Sequence, residues 1–335
     1  MRWFLKTILI GIILAGVLGA VVFLIPAPAS KKIMWGVNFS QMQAEALHLN
    51  WKQLYLSILE DLGVKKIKLV TNWDFVGGTR GTYFFDDIDW QIAQAQSYHA
   101  TIVYVVGMKT GRWPECHIPS WAEGLSKQEQ QKEILSYITA VVSRYKDSGV
   151  IEAWQAENEP LFRFGQCPWY DTNFLKQEVA LIKSLDPNHP VIISDSGEQS
   201  LWWQAARIGD IVGTTMYRRI WVHLSKSVGF YATFPLPPSA YWIKSSLVSA
   251  FFGKKVINVE LQAEPWTKDF FYDVPVNVQE KSMNPDQFEK VVQYAKRTGL
   301  DQFYFWGTEW WYWMKTVQHK PDIWNTAHNI IRNTQ

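Results

Sequence analysis

The feature that most constrains this chain is a rhythm. Eight short β-forming runs, at residues 34–39, 65–71, 101–107, 150–156, 190–195, 210–216, 255–261 and 302–306, alternate with longer stretches of helical character. Runs such as 101–107 (TIVYVVG) and 255–261 (KVINVEL) are apolar almost throughout, as strands buried on both faces are. The helical stretches carry their own punctuation. Residues 126–147 bring Ile134, Ile138, Val141, Val142 and Tyr145 to one side, and Ser126 with Glu129 reads as a capping box. Asn284-Pro285-Asp286 opens another helix and Gly299 closes it. Further helices are expected near 86–99, 173–185, 199–208, 241–252 and 323–332, while the aromatic, Pro-rich segment 220–238 reads as a long loop. An unbroken array of eight β/α units implies class α/β and a closed parallel (β/α)8 barrel, the TIM barrel. A doubly wound open sheet is the alternative, but no Gly-rich phosphate loop follows the first run.

Residues 1–32 stand outside this rhythm. Arg2 and Lys6 precede nineteen uncharged, mostly apolar residues at 7–25. As a helix such a run crosses a bilayer, which takes about 20 residues, and the preceding positive charge keeps the amino terminus cytoplasmic. Ala27-Pro28-Ala29 also reads as a small-residue cleavage site. The length favours an uncleaved transmembrane signal anchor with a short linker (1–32), followed by a single domain (33–335) outside the cytoplasm. Cleavage would make that domain secreted. In an oxidising compartment Cys116 and Cys167, the two cysteines of the chain, are expected to form a disulfide. Closing the loop between them is worth roughly 3–4 kcal/mol in the chain-entropy picture. Four of the 33 basic residues (Arg2, Lys6, Lys31, Lys32) belong to the anchor, leaving 29 against 31 acidic residues. That balance is no footprint for a nucleic acid.

The candidate chemistry lies where the runs end. After the fourth comes Trp154-Gln155-Ala156-Glu157-Asn158-Glu159-Pro160, in which Pro160 stops the strand. On an extended backbone Glu157 and Glu159 would share one face. Functional groups of closed parallel barrels project from the carboxyl ends of the strands. Here those ends offer Asn38, Asn72 with Trp73, Glu159, Tyr217, Glu260 and Trp306. Two glutamates from separate strands facing one pocket make a glycosidase pair, one protonating the leaving oxygen and the other attacking the anomeric carbon or activating water. The 19 tryptophans support a saccharide partner, since many sit beside Gly, Pro or acidic residues near loops, where indoles stack on sugar faces; others serve the core. The seven histidines show no metal-ligand spacing, and neither a GxSxG elbow nor a P-loop occurs, so no cofactor or metal is expected.

On these motifs the chain resembles the clan A glycoside hydrolases, the (β/α)8 group that includes families 5, 35, 39 and 42. Carrying the resemblance are Asn158-Glu159-Pro160 after the fourth run, Glu260 within VINVELQ on the seventh, and FYFWG (303–307) on the eighth; TRGTYFFDDIDW (79–90) is similar to the segment after the second strand in family 42-like enzymes. The resemblance covers most of 34–313. It implies that Glu159 is the acid/base and Glu260 the nucleophile of a retaining double displacement, and that Asn158 grips the substrate 2-hydroxyl. It further implies that Trp306 floors the sugar site and Tyr217 hydrogen-bonds the nucleophile. Asn38, Trp73 and Glu264 are further substrate-contacting candidates, with Glu264 in the loop after the seventh strand. Glu157 is a supporting residue, and Glu115 and Glu309 are rim residues. Lys68 departs from the pattern, standing where the family usually brings an arginine, and a point charge replaces a fork there. The expected function is hydrolysis of β-linked glycosidic bonds in an oligo- or polysaccharide by a monomer. A barrel that binds glycans at the cell surface without catalysis is the alternative.

Overall fold

The apolar runs close on themselves. A computed structural model describes residues 32–225 and 228–333, and, of the segment before them, residues 4, 6–11, 14, 16, 17, 19, 26–28 and 30. Eight parallel strands form a closed barrel: β1 (Met34–Ser40), β2 (Lys66–Val70), β3 (Thr101–Val106), β4 (Ile151–Ala156), β5 (Val191–Asp195), β6 (Ile211–Met216), β9 (Lys255–Gln262) and β10 (Gln302–Trp306). Neighbours follow chain order, and β10 closes the ring by pairing with β1, Met34 opposite Gln302 and Val37 opposite Phe305. Between β6 and β9 an antiparallel hairpin, β7 (Arg219–His223) and β8 (Gly229–Thr233), stands apart from the barrel. The segment 220–238, read as loop, therefore contains a two-stranded hairpin over 219–233. Pro235, Pro237 and Pro238 end it, but Ile220, Trp221, Val222, Phe230 and Tyr231 are the β-branched and aromatic residues that pair well on a pleated surface.

The inside of the barrel is filled by Val103, Ala153, Ile192, Ile257, Val259 and Tyr304. Gly36 is required there, because a Cβ on it would lie 2.6 Å from the Lys66 carbonyl and 2.7 Å from the Tyr304 ring. A second, larger core lies between the strands and the outer helices. Helix Lys127–Tyr145 buries Ile134, Ile138, Val141, Val142 and Tyr145, and its Ser126–Glu129 capping box is complete. Helix Pro285–Lys296 begins on the Asn284 side chain and stops before Gly299 at φ +74°. Residues 308–316, aromatic enough to suggest a stacking loop, form a helix instead and bury Trp310 and Trp311 completely. Trp73, Trp154, Trp202 and Trp324 are likewise interior. Most of these indole N–H groups have found an acceptor, which is what lets so large a side chain be buried.

Cys116 and Cys167 form a disulfide joining the loops that follow β3 and β4. The bilayer-spanning expectation is not supported: among the described residues no helix is long and apolar enough to cross a membrane. Much of the run 7–25 lies outside the described residues; of it, residues 7–11, 14, 16, 17 and 19 are helical, with Ile8, Leu9, Ile10, Leu14 and Val17 exposed.

Candidate active site

The polar centre is built at the carboxyl ends of the strands. The backbone leaves β4 at Ala156 and turns sharply, with Glu157 at φ +58° and Glu159 at φ +43°, a region that side chains other than glycine enter only when held. Four hydrogen bonds hold it. The Glu157 amide donates to Val106 O (2.9 Å), the Asn158 amide to Lys109 O (2.5 Å), the Glu159 amide to Ser194 Oγ (2.8 Å), and Lys109 Nζ donates to Glu159 O (2.9 Å). This turn overturns the expectation that the two glutamates share a face, because a left-handed residue breaks the period-two alternation. Glu157 points back, accepting from the amides of Met108 and Lys109 at 3.2 and 3.3 Å. Burial lifts its pKa, and the fully buried Glu178 lies close enough that its own pKa is raised by burial and then by Glu157.

Glu159 points across the barrel mouth and accepts a hydrogen bond from Thr215 Oγ1 at 3.0 Å. Its pKa is raised to about 8, first by burial and next by the negative charge of Glu260. Glu260 projects from β9, where the register slips by one residue at Val259 between Asn258 and Glu260. Such bulges re-aim side chains at barrel rims. Both Glu260 oxygens are held: Lys68 Nζ donates to Oε1 at 2.8 Å and Tyr217 OH to Oε2 at 2.7 Å. Lys68 is fully buried, also donates to Asn158 Oδ1 at 3.1 Å, and lies 5.5 Å from the centre of the Trp306 ring. Lys68 thus ties nucleophile candidate and 2-hydroxyl candidate together with two of its three donors.

A second charged group forms the adjoining wall. Arg112, from the loop after β3, pairs with Glu264 and, at 2.7 Å, with Glu309, while its guanidinium stacks on Trp306 at 4.2 Å. Glu309 also accepts from the Ser40 amide at 2.7 Å. Burial raises the pKa of both carboxyls against the pull of the cation. Gly111 lets this loop approach, since a Cβ there would sit 3.2 Å from Trp306 and 3.3 Å from the Asn158 amide. Glu115 is buried as well; burial first, and then, against the pull of Lys109, the charge of Glu260, lift its pKa to about 7, while Asn158 hydrogen-bonds it. Glu115 and Glu309 are therefore interior groups and not the rim residues expected, because the disulfide-tied loop and the helix after β10 fold inward over the mouth.

The sequence-derived residues thus divide. Glu159, Glu260, Asn158, Tyr217, Trp306 and Glu264 converge with Lys68. Asn38 does not offer its amide to the pocket: Nδ2 donates to the carbonyls of Val259, Tyr304 and Phe305, which pins β1 to β9 and β10. Trp73 is buried in the outer core against Trp121 and Tyr137. Residues that sequence reasoning passed over are Thr215, Ser194, Lys109 and Arg112. Thr215 had a signal, since it lies two before Tyr217 at the end of β6. Arg112, in an irregular loop, had none.

No family model matches the sequence. Among curated proteins, mannan endo-1,4-beta-mannosidase F of Aspergillus fumigatus is 33% identical over 147 residues, which are 42% of this chain and 25% of that protein. Among solved structures, the endo-beta-1,4-mannanase from Thermotoga petrophila aligns with a TM-score of 0.54 at 16% identity, over 83% of this chain and 68% of that one. The beta-galactosidase from Rahnella sp. R3 gives 0.58 at 12% identity, over 84% and 52%. This chain resembles the clan A glycoside hydrolases. The structural likenesses, at such low identity, speak to the barrel alone, and the chain spans about a quarter of the length of the curated relative named.

Proposed function

We propose that this protein is a retaining glycosidase that hydrolyses β-linked saccharides, with Glu159 as acid/base and Glu260 as nucleophile. The observation that carries the reading is the asymmetry of the pair. Glu159 is buried, with a pKa of about 8, so at neutral pH it holds a proton to give. Glu260 accepts from an ammonium and a phenol, which orient a carboxylate for attack. In the first step Glu260 forms a bond to the anomeric carbon as the bond to the leaving oxygen breaks, and Glu159 gives its proton to that oxygen. The glycosyl ester so formed carries no charge at Glu260. One of the contributions that raise the Glu159 pKa then disappears, and the carboxylate left by the first step suits its second task. It takes a proton from water as the water oxygen attacks the anomeric carbon and Glu260 departs.

Lys68 and Tyr217 release part of their hold on Glu260 as its charge falls, so both act on the nucleophile, while Asn158, gripped by Lys68, presents its amide to the adjacent sugar hydroxyl. The mannan endo-1,4-beta-mannosidase activity of the curated relative favours a mannan-like β-1,4-linked backbone. The disulfide supports a site of action outside the cytoplasm. The test is hydrolysis of β-mannan and of chromogenic β-glycosides by the wild type, Glu159→Ala and Glu260→Ala, with the anomer of the first product followed by NMR. Activity in the wild type alone, with retention, is expected; activity surviving in both variants refutes the assignment, and inversion refutes the mechanism.

A further inference from the structure

A cavity of about 260 Å³ opens on the β1–β2 side of the centre. Its floor is the end of β2 and the residues after it, Val70, Thr71 and Asn72; its sides come from helix Gln41–Ala46 and helix Asp86–Ser97. Two phenyl rings stand at it, Phe75 and Phe84, 45% and 55% exposed. The two segments are tied together: the Phe84 amide donates to Val76 O at 2.8 Å, linking the stretch that carries Phe84 to the short helix Trp73–Val76 that carries Phe75. The polar lining is an incomplete relay. Gln91 Nε2 donates to Gln41 Oε1 at 3.0 Å, and Gln41 Nε2 donates to Asp87 Oδ2 at 2.8 Å. Gln91 is 1% exposed, yet its Oε1 has no partner. The Asn72 amide has only the thioether of Met42, at 3.2 Å, a weak acceptor.

Buried amide groups without good partners are costly unless something else fills them. The combination here, flat apolar rings beside amides with open hydrogen-bonding positions, complements a sugar, whose C–H faces are apolar and whose edge is hydroxyls. Charge narrows the choice. Asp86 and Asp87 line the cavity and no Lys or Arg does, so an anionic sugar is repelled and a neutral one accepted. The volume suits one ring, lying just under the roughly 300 Å³ where drug-sized pockets begin. The cavity is also wired to the centre. Asn72 Oδ1 accepts from Thr110 Oγ1 at 3.1 Å, and the next residue, Gly111, abuts Trp306 and Asn158.

We infer that this cavity is a subsite for a neutral sugar unit of a chain whose scissile bond lies at Glu159 and Glu260, so that the protein acts on oligosaccharides in preference to single glycosides. This inference rests on the hydrolase reading above. Its test uses the full chain and three neutral β-1,4-linked tetrasaccharides (manno-, gluco- and xylo-). For Phe84→Ala, the ratio of kcat/KM on the preferred tetrasaccharide to that on its chromogenic monoglycoside should fall about tenfold, chiefly through KM, and Phe84→Tyr should restore it. An unchanged ratio overturns the subsite. Calorimetric binding of the same tetrasaccharides to Glu159→Gln, with and without Phe84→Ala, gives a readout independent of turnover. Weaker binding in the double variant together with an inactive wild type keeps the subsite and sinks the hydrolase reading. Equal affinity in both, or no binding by either, sinks the subsite. A tetrasaccharide of uronic acids should bind at least tenfold more weakly than the neutral ones, and equal binding refutes the charge argument.

Discussion

Replacing Glu260 by Gln should make Glu159 a stronger acid. The Glu159 carboxyl titrates at about 8, raised first by burial and then by the Glu260 charge. Retention requires the two carboxyl groups to stand about 5–5.5 Å apart. At that spacing and an effective dielectric of about 20, two unit negative charges repel by about 3 kcal/mol, which is about two pKa units. Glu260→Gln removes the repulsion and leaves the Lys68 ammonium without its carboxylate, and both changes favour ionised Glu159. The expected pKa is therefore about 6 or somewhat below, by the same estimate. Residue-selective 13C labelling of glutamate and NMR titration read this directly, with Glu159→Gln identifying the signal. A Glu159 titration that stays near 8 in Glu260→Gln would place the whole shift on burial, and the pair would then be too far apart for the mechanism. The same coupling sets the wild-type rate profile: kcat/KM should fall as pH rises through about 8, where the acid loses its proton.

Other outcomes follow from the same contacts. Because folding raises the Glu159 pKa from 4.5 to about 8, the folded state holds a proton that the unfolded chain releases between those values; the stability cost is absent below about pH 4.5 and grows toward pH 8. Glu159→Gln should accordingly raise Tm at pH 8 and change it little at pH 4.5, as followed by differential scanning calorimetry; equal shifts at both pH values would contradict the linkage. Tyr217→Phe removes the donor that orients Glu260 through Oε2 and should lower kcat about tenfold to a hundredfold by misplacing the nucleophile; it should also lower Tm, since one charge-assisted hydrogen bond is worth roughly 1.5–3 kcal/mol. Reducing the Cys116–Cys167 disulfide, or replacing both cysteines by serine, should lower stability by about 4 kcal/mol on the loop-closure scale. It should also lower kcat/KM, because Glu115 and Gly165, on the two joined loops, are packed against each other above the site.

Much of this protein was legible in its sequence because the relevant signals are local. Strand ends were placed within a residue or so, since β-branched runs such as 101–106 and 191–195 owe their structure to their own apolar pattern. Helix starts followed from side chains that cap their own backbone, as Ser126 and Asn284 do. Glu159 and Glu260 were recognisable because each lies at the end of a strand, and barrel topology brings strand ends to one mouth. What the sequence could not determine depends on groups meeting across the barrel or on loops folding inward. Glu157 and Glu159 parted company through a left-handed turn held by Val106, Lys109 and Ser194, none of them within thirty residues of it except through space. Asn38, polar at a strand end like the catalytic candidates, was claimed by three carbonyls of the closing strands. The hairpin within 219–233 formed by pairing that no single segment encodes. Arg112 and Lys68 found partners 152 and 192 residues away in the chain. Composition and periodicity fix which segments become strands; only closure of the barrel decides which charges face each other, and the protonation of Glu159 comes from that closure.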